Sequence, residues 1–251
     1  MDYSQFSELF SACLQANHMD HLLNDALINY FHQLTVRMLQ VNRVMNLTRI
    51  TEPQEIILRH YIDSLTLSPH IPAGASVLDV GCGAGFPSLP LAIARPDLKI
   101  TALDSTDKKV RYINETAAFL GIPHTRLHAV TARAEDAAAA TSPMRESYDV
   151  VTSRAVARLQ LLAELSIPFL RVGGLFIAMK GGRATEELSE ATCAYHTLGA
   201  PKAELFPCTI ASPPGSSETA PEEHVLVIAK KVRKTAEIHP RKYAQMLKKP
   251  L

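Results

Sequence analysis

The sequence predicts an α/β protein: a mostly parallel seven-stranded sheet with helices on both faces, preceded by an N-terminal helical extension. Three observations predict it. From Ala75 onward, short β-rich runs alternate with helical stretches, the rhythm of parallel strands joined by crossover helices. Those runs, VLDV and VV among them, are apolar without alternation, as strands buried on both faces must be. Residues 1 to 70 instead carry apolar side chains at helical spacing and few strand signals.

Within the extension, taken as residues 1–72, Leu9, Leu14, Leu22, Leu23, Leu27, Ile28, Phe31, Leu34 and Met38 recur at helical intervals. Pro53 opens a further helix that turns Ile56, Ile57 and Ile62 inward, and Pro69, Pro72 and Gly74 then interrupt the chain. The α/β domain spans residues 73–233. Its strands are 76–81, 99–104, 126–130, 148–154 and 174–180, with helical segments at 87–95, 107–120 and 133–140 between the first four and the segment 156–170 after the fourth. A helix at 184–197 leads to two last strands, 203–210 and 224–232. They are joined by a polar link, 211–223, that contains three prolines and reads as a mobile loop or wide hairpin. Residues 234–251 form a basic C-terminal tail.

The chain has 251 residues, 47% of them hydrophobic, enough for a sizeable core. Net charge is only +1, so the protein is no polycation and any nucleic-acid contact must use a local basic patch. Four cysteines without CxxC spacing (Cys13, Cys82, Cys193, Cys208) read as reduced thiols, with neither a disulfide frame nor a metal site expected. The N-terminus lacks the basic and apolar regions of a secretory signal. The longest apolar stretch, Leu159 to Leu170, is interrupted by polar residues and too short to span a bilayer. A soluble cytoplasmic protein, monomeric and without a membrane partner, is the expectation.

The chemistry concentrates at the first strand-to-helix turn, LDVGCGAGFPSLPLAIA. Gly81, Gly83 and Gly85 allow a sharp turn and close approach of a ligand to the backbone, and the next helix offers free N–H groups at its positive end. A dinucleotide-binding turn would read GxGxxG, whereas here the glycines stand as GxGxG with Phe86 in sixth place. Asp79, two residues before the first glycine, can hold the loop and the aminoacyl end of a methionine moiety, but would repel a pyrophosphate. Asp104 closes the second strand, where a carboxylate can accept both ribose hydroxyls. The competing reading is that Asp104 or Ser105 merely caps a helix. Ala134-Glu135, after the third strand, stands where an adenine contact is expected, although RAEDA would also start a helix. Together these favour S-adenosylmethionine over a dinucleotide. At the end of the fourth strand, amine-directed methyltransferases carry an acid–Pro–Pro–aromatic box. This chain has Ser153-Arg154-Ala155 instead, which argues against an exocyclic amine and leaves a ring nitrogen open. A solvated strand-end charge is the plainer reading of Arg154.

From about residue 42 to residue 231 the pattern resembles the RsmG (glucose-inhibited division protein B) family. Asn46-Leu47-Thr48 is similar to its NLT element and Arg59-His60-x-x-Asp63-Ser64 to its RHxxDS element. LDVGCGAGFPSLPLAIARP is similar to its glycine loop. Leu103-Asp104-Ser105 with Lys109-Val110, Ser153-Arg154-Ala155 and Lys180-Gly181 match in order and spacing. The resemblance implies a class I S-adenosylmethionine-dependent methyltransferase, Rossmann-like, acting on guanine N7 in small-subunit (16S) ribosomal RNA, with the RNA or the ribosomal subunit as partner. It also implies a donor site lined by Gly81, Phe86, Asp104, Ala134, Glu135 and Arg154. The 211–223 link has no counterpart in the pattern.

N7 chemistry fits the residues. Its lone pair lies outside the aromatic sextet, so no general base is needed, and no base stands on the fourth strand. No catalytic residue is therefore certain. The substrate-side candidates are Arg154, Lys180, Arg59 and His60, with Arg154 or Lys180 assigned to phosphate or O6. For His60 and Asp63, core hydrogen bonding is an equal alternative, and for Lys180 strand-end solvation is the plainer reading. The stretch 230–249 carries eight Lys/Arg against one acid, with Tyr243 among them. It either grips RNA, with Tyr243 stacking on a base, or is a frayed charged end. Two other functions stay open on residues alone: methylation of a small molecule or protein, and an inactive RNA-binding module of the same fold.

Overall fold

The computed structural model describes residues 1–154, 157–215 and 222–251. Ala155 and residues 216–221 of the 211–223 link lie outside the described residues. The N-terminal part contains α1 (Tyr3–Ala16), α2 (Asp25–Met45), α3 (Pro53–Ile56) and α4 (Asp63–Leu65), the last two joined by a π-helical turn over Ile57–Ile62. Asp2 and Asn24 accept hydrogen bonds from the first turns of α1 and α2, which fixes where these helices begin. The α/β part runs β1 (Ser76–Val80), α5 (Ser88–Ala94), β2 (Lys99–Asp104), α6 (Asp107–Phe119), β3 (Leu127–Thr131), α7 (Ala134–Ala137) and β4 (Tyr148–Arg154). It continues with α8 (Leu159–Ser166), β5 (Leu170–Lys180), α9 (Ala184–Leu198), β6 (Ala203–Ile210), β7 (Glu222–Lys230) and α10 (Tyr243–Lys248).

The seven strands form one sheet in the order β3-β2-β1-β4-β5-β7-β6, with β7 antiparallel to both β5 and β6. Successive side chains of a strand point to opposite faces, and the core divides accordingly. Val77, Ile100, Val150 and Ile177 pack with α5, α6 and the N-terminal helices. Their neighbours Leu78, Val151 and Phe176 pack with α8 and α9 on the other face. Phe6, Phe10, Phe31 and Tyr61 are fully buried in the first cluster, so the N-terminal helices share one apolar core with the sheet.

The strand order reverses between β1 and β4, because the chain leaves β1 toward one face and β4 toward the other. The carboxyl ends of these strands therefore open a crevice, the place where open α/β sheets take ligands. Ser153 ties the two ends together: its hydroxyl donates to the Val80 carbonyl at 2.7 Å.

Two expected helices are shorter than their spacing implied. The 133–140 segment is helical only to Ala137, since the Ala138 carbonyl accepts from the Arg145 guanidinium. The 156–170 segment is an α-helix only over Leu159–Ser166, and Pro168 sits in a 3₁₀ turn that hands the chain to β5. The larger correction concerns the basic tail. It is not frayed: core groups take up Lys231, Arg241 and much of the backbone, while Lys230, Lys234, Lys242, Lys248 and Lys249 stay exposed. Lys231 is 0% exposed, and its ammonium donates to Glu146 at 2.8 Å and to the carbonyls of Leu170 and Ile167 at 2.8 and 3.2 Å. Glu146 also accepts from the Thr235 amide.

Removing the ammonium would strand a carboxylate and two carbonyls. Lys231→Met is expected to lower unfolding free energy by about 3–5 kcal/mol, as loss of one partner of a buried pair does. Urea denaturation measures it; a loss under 1 kcal/mol would mean that Glu146 is hydrated instead.

A two-cavity site around Arg154

The glycine loop folds over the end of β2. Gly81 and Cys82 donate their amides to the Leu103 carbonyl at 2.8 and 3.0 Å, and Gly83 donates to Asp104 Oδ2 at 3.0 Å. Gly81, Gly83 and Gly85 have φ values of 74°, 56° and 87°, in the left-handed region. At Gly85 a Cβ would also stand 2.5 Å from the Leu89 side chain, so both backbone and packing demand glycine.

Asp79 is 1% exposed beneath this loop. One carboxylate oxygen accepts from the Ser88 hydroxyl at 2.5 Å, holding the start of α5, while the other has no partner. Burial raises its pKa to about 6, against the opposing pull of the Ser88 hydrogen bond and the Arg154 charge. An unpartnered buried carboxylate oxygen suits a cationic ligand group near the loop.

A cavity of about 460 Å³ opens at the carboxyl ends of β1, β2 and β3, within the range of small-ligand sites. Gly81, Gly83, Asp104, Ser105, Ala134, Glu135 and Arg154 line it, so seven of the residues expected at the donor site meet there. Asp79, Gly85 and Phe86 do not line it; they support the loop and Arg154 from behind. Asp104 is 8% exposed and accepts from the Gly83 amide and, at 2.9 Å, from the Thr106 amide. The residue before α6 is Thr106, so neither Asp104 nor Ser105 occupies the capping position. Sequence reasoning missed Lys109, Leu165 and Tyr243 in this lining. Leu165 and Tyr243 come from α8 and the C-terminal segment, far from the glycine loop in sequence.

A second cavity, about 660 Å³, lies beyond Arg154 and is lined by Arg59, His60, Asp63, Lys180, Gly181 and His224 among others. All four substrate-side candidates face it, and Arg154 lines both cavities. The guanidinium is held rather than solvated. Nη1 donates to the Arg59 carbonyl at 2.9 Å and to Asp63 Oδ2 at 3.0 Å, and the group lies 5.3 Å from the centre of the Phe86 ring. His60 stacks on that ring, 4.4 Å between centroids with 9° between planes. Arg154 Nη2 is 3.4 Å from His60 Nδ1. A guanidinium only donates, so this contact requires Nδ1 to be unprotonated.

The RHxxDS element is thus both core hydrogen bonding and part of the site. It lies across the π-helical turn, where the wider coil presents the Arg59 carbonyl and His60 toward β4. The NLT element braces it from the other side: Asn46 ends α2 with φ 51°, Asn42 bonds the Thr48 backbone twice, and Thr48 Oγ1 meets His60 Nε2 at 3.0 Å. His224 of β7 adds a contact that the sequence did not suggest, 3.0 Å from Asp63 Oδ1. Lys180 is neither solvated nor free for phosphate. It pairs with Glu187 at 2.7 Å and donates to the Ala157 carbonyl at 3.0 Å. Arg37 pairs with Glu115 at 3.0 Å.

Burial, then the Arg154 charge, lowers the His60 pKa to about 4. The imidazole is therefore neutral in the folded protein between pH 4 and 6.5, whereas an unfolded chain takes up a proton there. Its contribution to stability is complete above pH 6.5 and lost as pH falls toward 4. Melting temperatures across this range should fall more steeply for the wild type than for His60→Phe. Parallel slopes would refute a buried neutral His60.

Comparison with known proteins agrees with this geometry. The family model described as rRNA small subunit methyltransferase G matches residues 27–211. Relatives named ribosomal RNA small subunit methyltransferase G include one from Lactobacillus delbrueckii subsp. bulgaricus, 42% identical over 88% of this chain and 89% of its own. Another, from Limosilactobacillus fermentum, is 41% identical over 93% of this chain and 95% of its own. Among solved structures, a precorrin-6y C5,15-methyltransferase from Geobacter metallireducens superposes with a TM-score of 0.50 at 16% identity, over 75% of this chain and 92% of that one. A SAM-dependent O-methyltransferase from Thermotoga maritima gives 0.50 at 15% identity, over 80% and 73%. These two show the fold, that of class I methyltransferases. The sequence relatives and the matching model show the family: the chain belongs to the rRNA small subunit methyltransferase G family.

Proposed function

We propose that this protein transfers a methyl group from S-adenosylmethionine to N7 of a guanine in small-subunit ribosomal RNA, acting as a cytoplasmic monomer. The observation that carries the reading is Arg154, which forms the wall between a cavity built like a donor site and a second cavity open enough for a base.

The residues of the first cavity fit the donor. Asp104 offers a carboxylate at the depth of a ribose, and Ala134 and Glu135 line the same cavity for the adenine. The bound donor supplies an electrophilic methyl on a sulfonium. The protein's part is alignment and exclusion of water. A guanine in the second cavity would bring its N7 lone pair toward the boundary. The N7–CH₃ bond forms as the S–CH₃ bond breaks, the bonding pair stays on sulfur, and no proton leaves the purine.

His60 cannot serve as an acid at neutral pH, because its proton is lost already near pH 4. Arg154, tied to Asp63 and the Arg59 carbonyl, is not poised to take N7 itself, a contact that would block the reaction. Its role is to keep the two cavities in register and to contact the base or its phosphate from a fixed position.

Asp104→Asn is expected to weaken S-adenosylhomocysteine binding by about 10- to 100-fold, the scale of a charge-assisted hydrogen bond lost, as calorimetry measures. Arg154→Ala should cost activity and melting temperature together, because it leaves Asp63 buried and short of a partner. Arg154→Lys should not restore activity, since an ammonium cannot reproduce the fork. Mapping of N7-methylguanosine in ribosomal RNA, with and without the gene, tests the target. An unchanged map overturns it, and transfer to free metabolites but not RNA would favour a small-molecule methyltransferase.

A further inference from the structure

The C-terminal segment follows a route that the donor-binding residues do not explain. After β7 the chain returns to α8 and the end of α7, and every stage of that return is pinned by a core side chain. Arg145 donates to the carbonyls of Thr235, Ala236 and His239 at 2.9, 3.2 and 2.8 Å. The Thr235 hydroxyl donates to the Leu198 carbonyl at 2.7 Å. Glu164, 1% exposed on α8, gathers the rest. It faces His239 Nδ1 at 2.9 Å and accepts from the Arg241 amide at 2.9 Å and from the Arg241 guanidinium, closest at 2.6 Å. Burial would raise the Glu164 carboxyl, but these donors outweigh it and hold it below the ordinary carboxylate range. Arg241 then donates to the Lys249 carbonyl at 3.0 Å, closing α10 on itself.

This anchoring delivers one aromatic ring to one place. Tyr243 is the first residue of α10 and lines the same cavity as Asp104, Glu135 and Leu165. Leu165 is the neighbour of Glu164, so one turn of α8 both holds the segment and walls the cavity. One turn further along α10, Met246 is buried at 1% exposure, which fixes the helix against the body. A ring held at a ligand cavity by three ionic side chains of the core (Arg145, Glu146, Glu164) is not placed for a flexible RNA contact.

We propose that the C-terminal segment is a wall of the donor site, in which Tyr243 packs its ring against the nucleoside of S-adenosylmethionine. This rests on reading the cavity as the donor site. Two of the segment's cations then have a local purpose: Lys231 and Arg241 neutralise Glu146 and Glu164 and so hold the wall in place.

The full-length protein tests this by titration calorimetry with S-adenosylhomocysteine. Tyr243→Ala should weaken binding by about 5- to 30-fold, the scale of one stacked aromatic, while Tyr243→Phe keeps wild-type affinity. The melting temperature of ligand-free Tyr243→Ala should stay near wild type, since the ring is more than one-third exposed. Asp104→Asn run in parallel separates the two possible failures. If it loses affinity while Tyr243→Ala does not, the wall is refuted and the donor site stands. If neither loses affinity, the donor assignment falls and the wall with it. Loss of ribosomal RNA binding by Tyr243→Ala at unchanged affinity for S-adenosylhomocysteine would also overturn the proposal, in favour of stacking on an RNA base.

Discussion

The site depends on one desolvated cation. Arg154 ends a buried strand, and a guanidinium cannot shed its charge to suit its surroundings. Asp63 supplies the countercharge, the Arg59 carbonyl takes another N–H, and Phe86 offers its face. These come from two stretches of chain, the RHxxDS element and the glycine loop, so satisfying one guanidinium brings both together with β4. His60 has to be neutral for the same reason, since a second cation against Phe86 would face Arg154 with no further anion to share. Asp63 is already divided between Arg154 and His224.

That arrangement bears on the chemistry of the proposed reaction. Transfer to a ring nitrogen moves one positive charge from sulfur to purine, creating none and consuming none. A bare arginine at the boundary would oppose both ends of this shift. The Arg154–Asp63 pair is close to neutral at a distance, while it still offers directional donors. Asp79 and Asp104 lie on the donor side, where the positive charge starts. The protein thus keeps its carboxylates around a cation it must bind and its hydrogen-bonded arginine where a cation must form, and preorganised groups of this kind need no rearrangement as charge develops.

Much of this was legible in the sequence, but unevenly. The strands of the sheet follow from their apolar runs, and the glycine loop with Asp104 follows from the rule that a sheet of this kind binds ligands where its strand order reverses. NLT was visible as a string of residues, and RHxxDS as substrate-side or core groups with no partner named. Their purpose is a three-dimensional one, bracing Arg154, and it needs a π-helical turn that no side-chain periodicity announces. Lys180 and Phe86 were legible as positions and misread as contacts. Lys180 is drawn into an ion pair with Glu187 on the following helix, and Phe86 sits under the arginine rather than in the cavity.

The C-terminal segment shows why composition misleads most where charges are dense. Eight basic residues among twenty look like a phosphate-binding arm. A sequence gives the number of charges but not their partners, and here Lys231 and Arg241 pair with Glu146 and Glu164, both far upstream. A flexible arm for RNA would leave its backbone free, to be ordered on binding. This segment has already paid the ordering entropy, through buried ion pairs, carbonyls bonded to Arg145 and a buried Met246. Order in the absence of RNA serves the folded protein itself, and Tyr243 of this segment borders the cavity that holds Asp104.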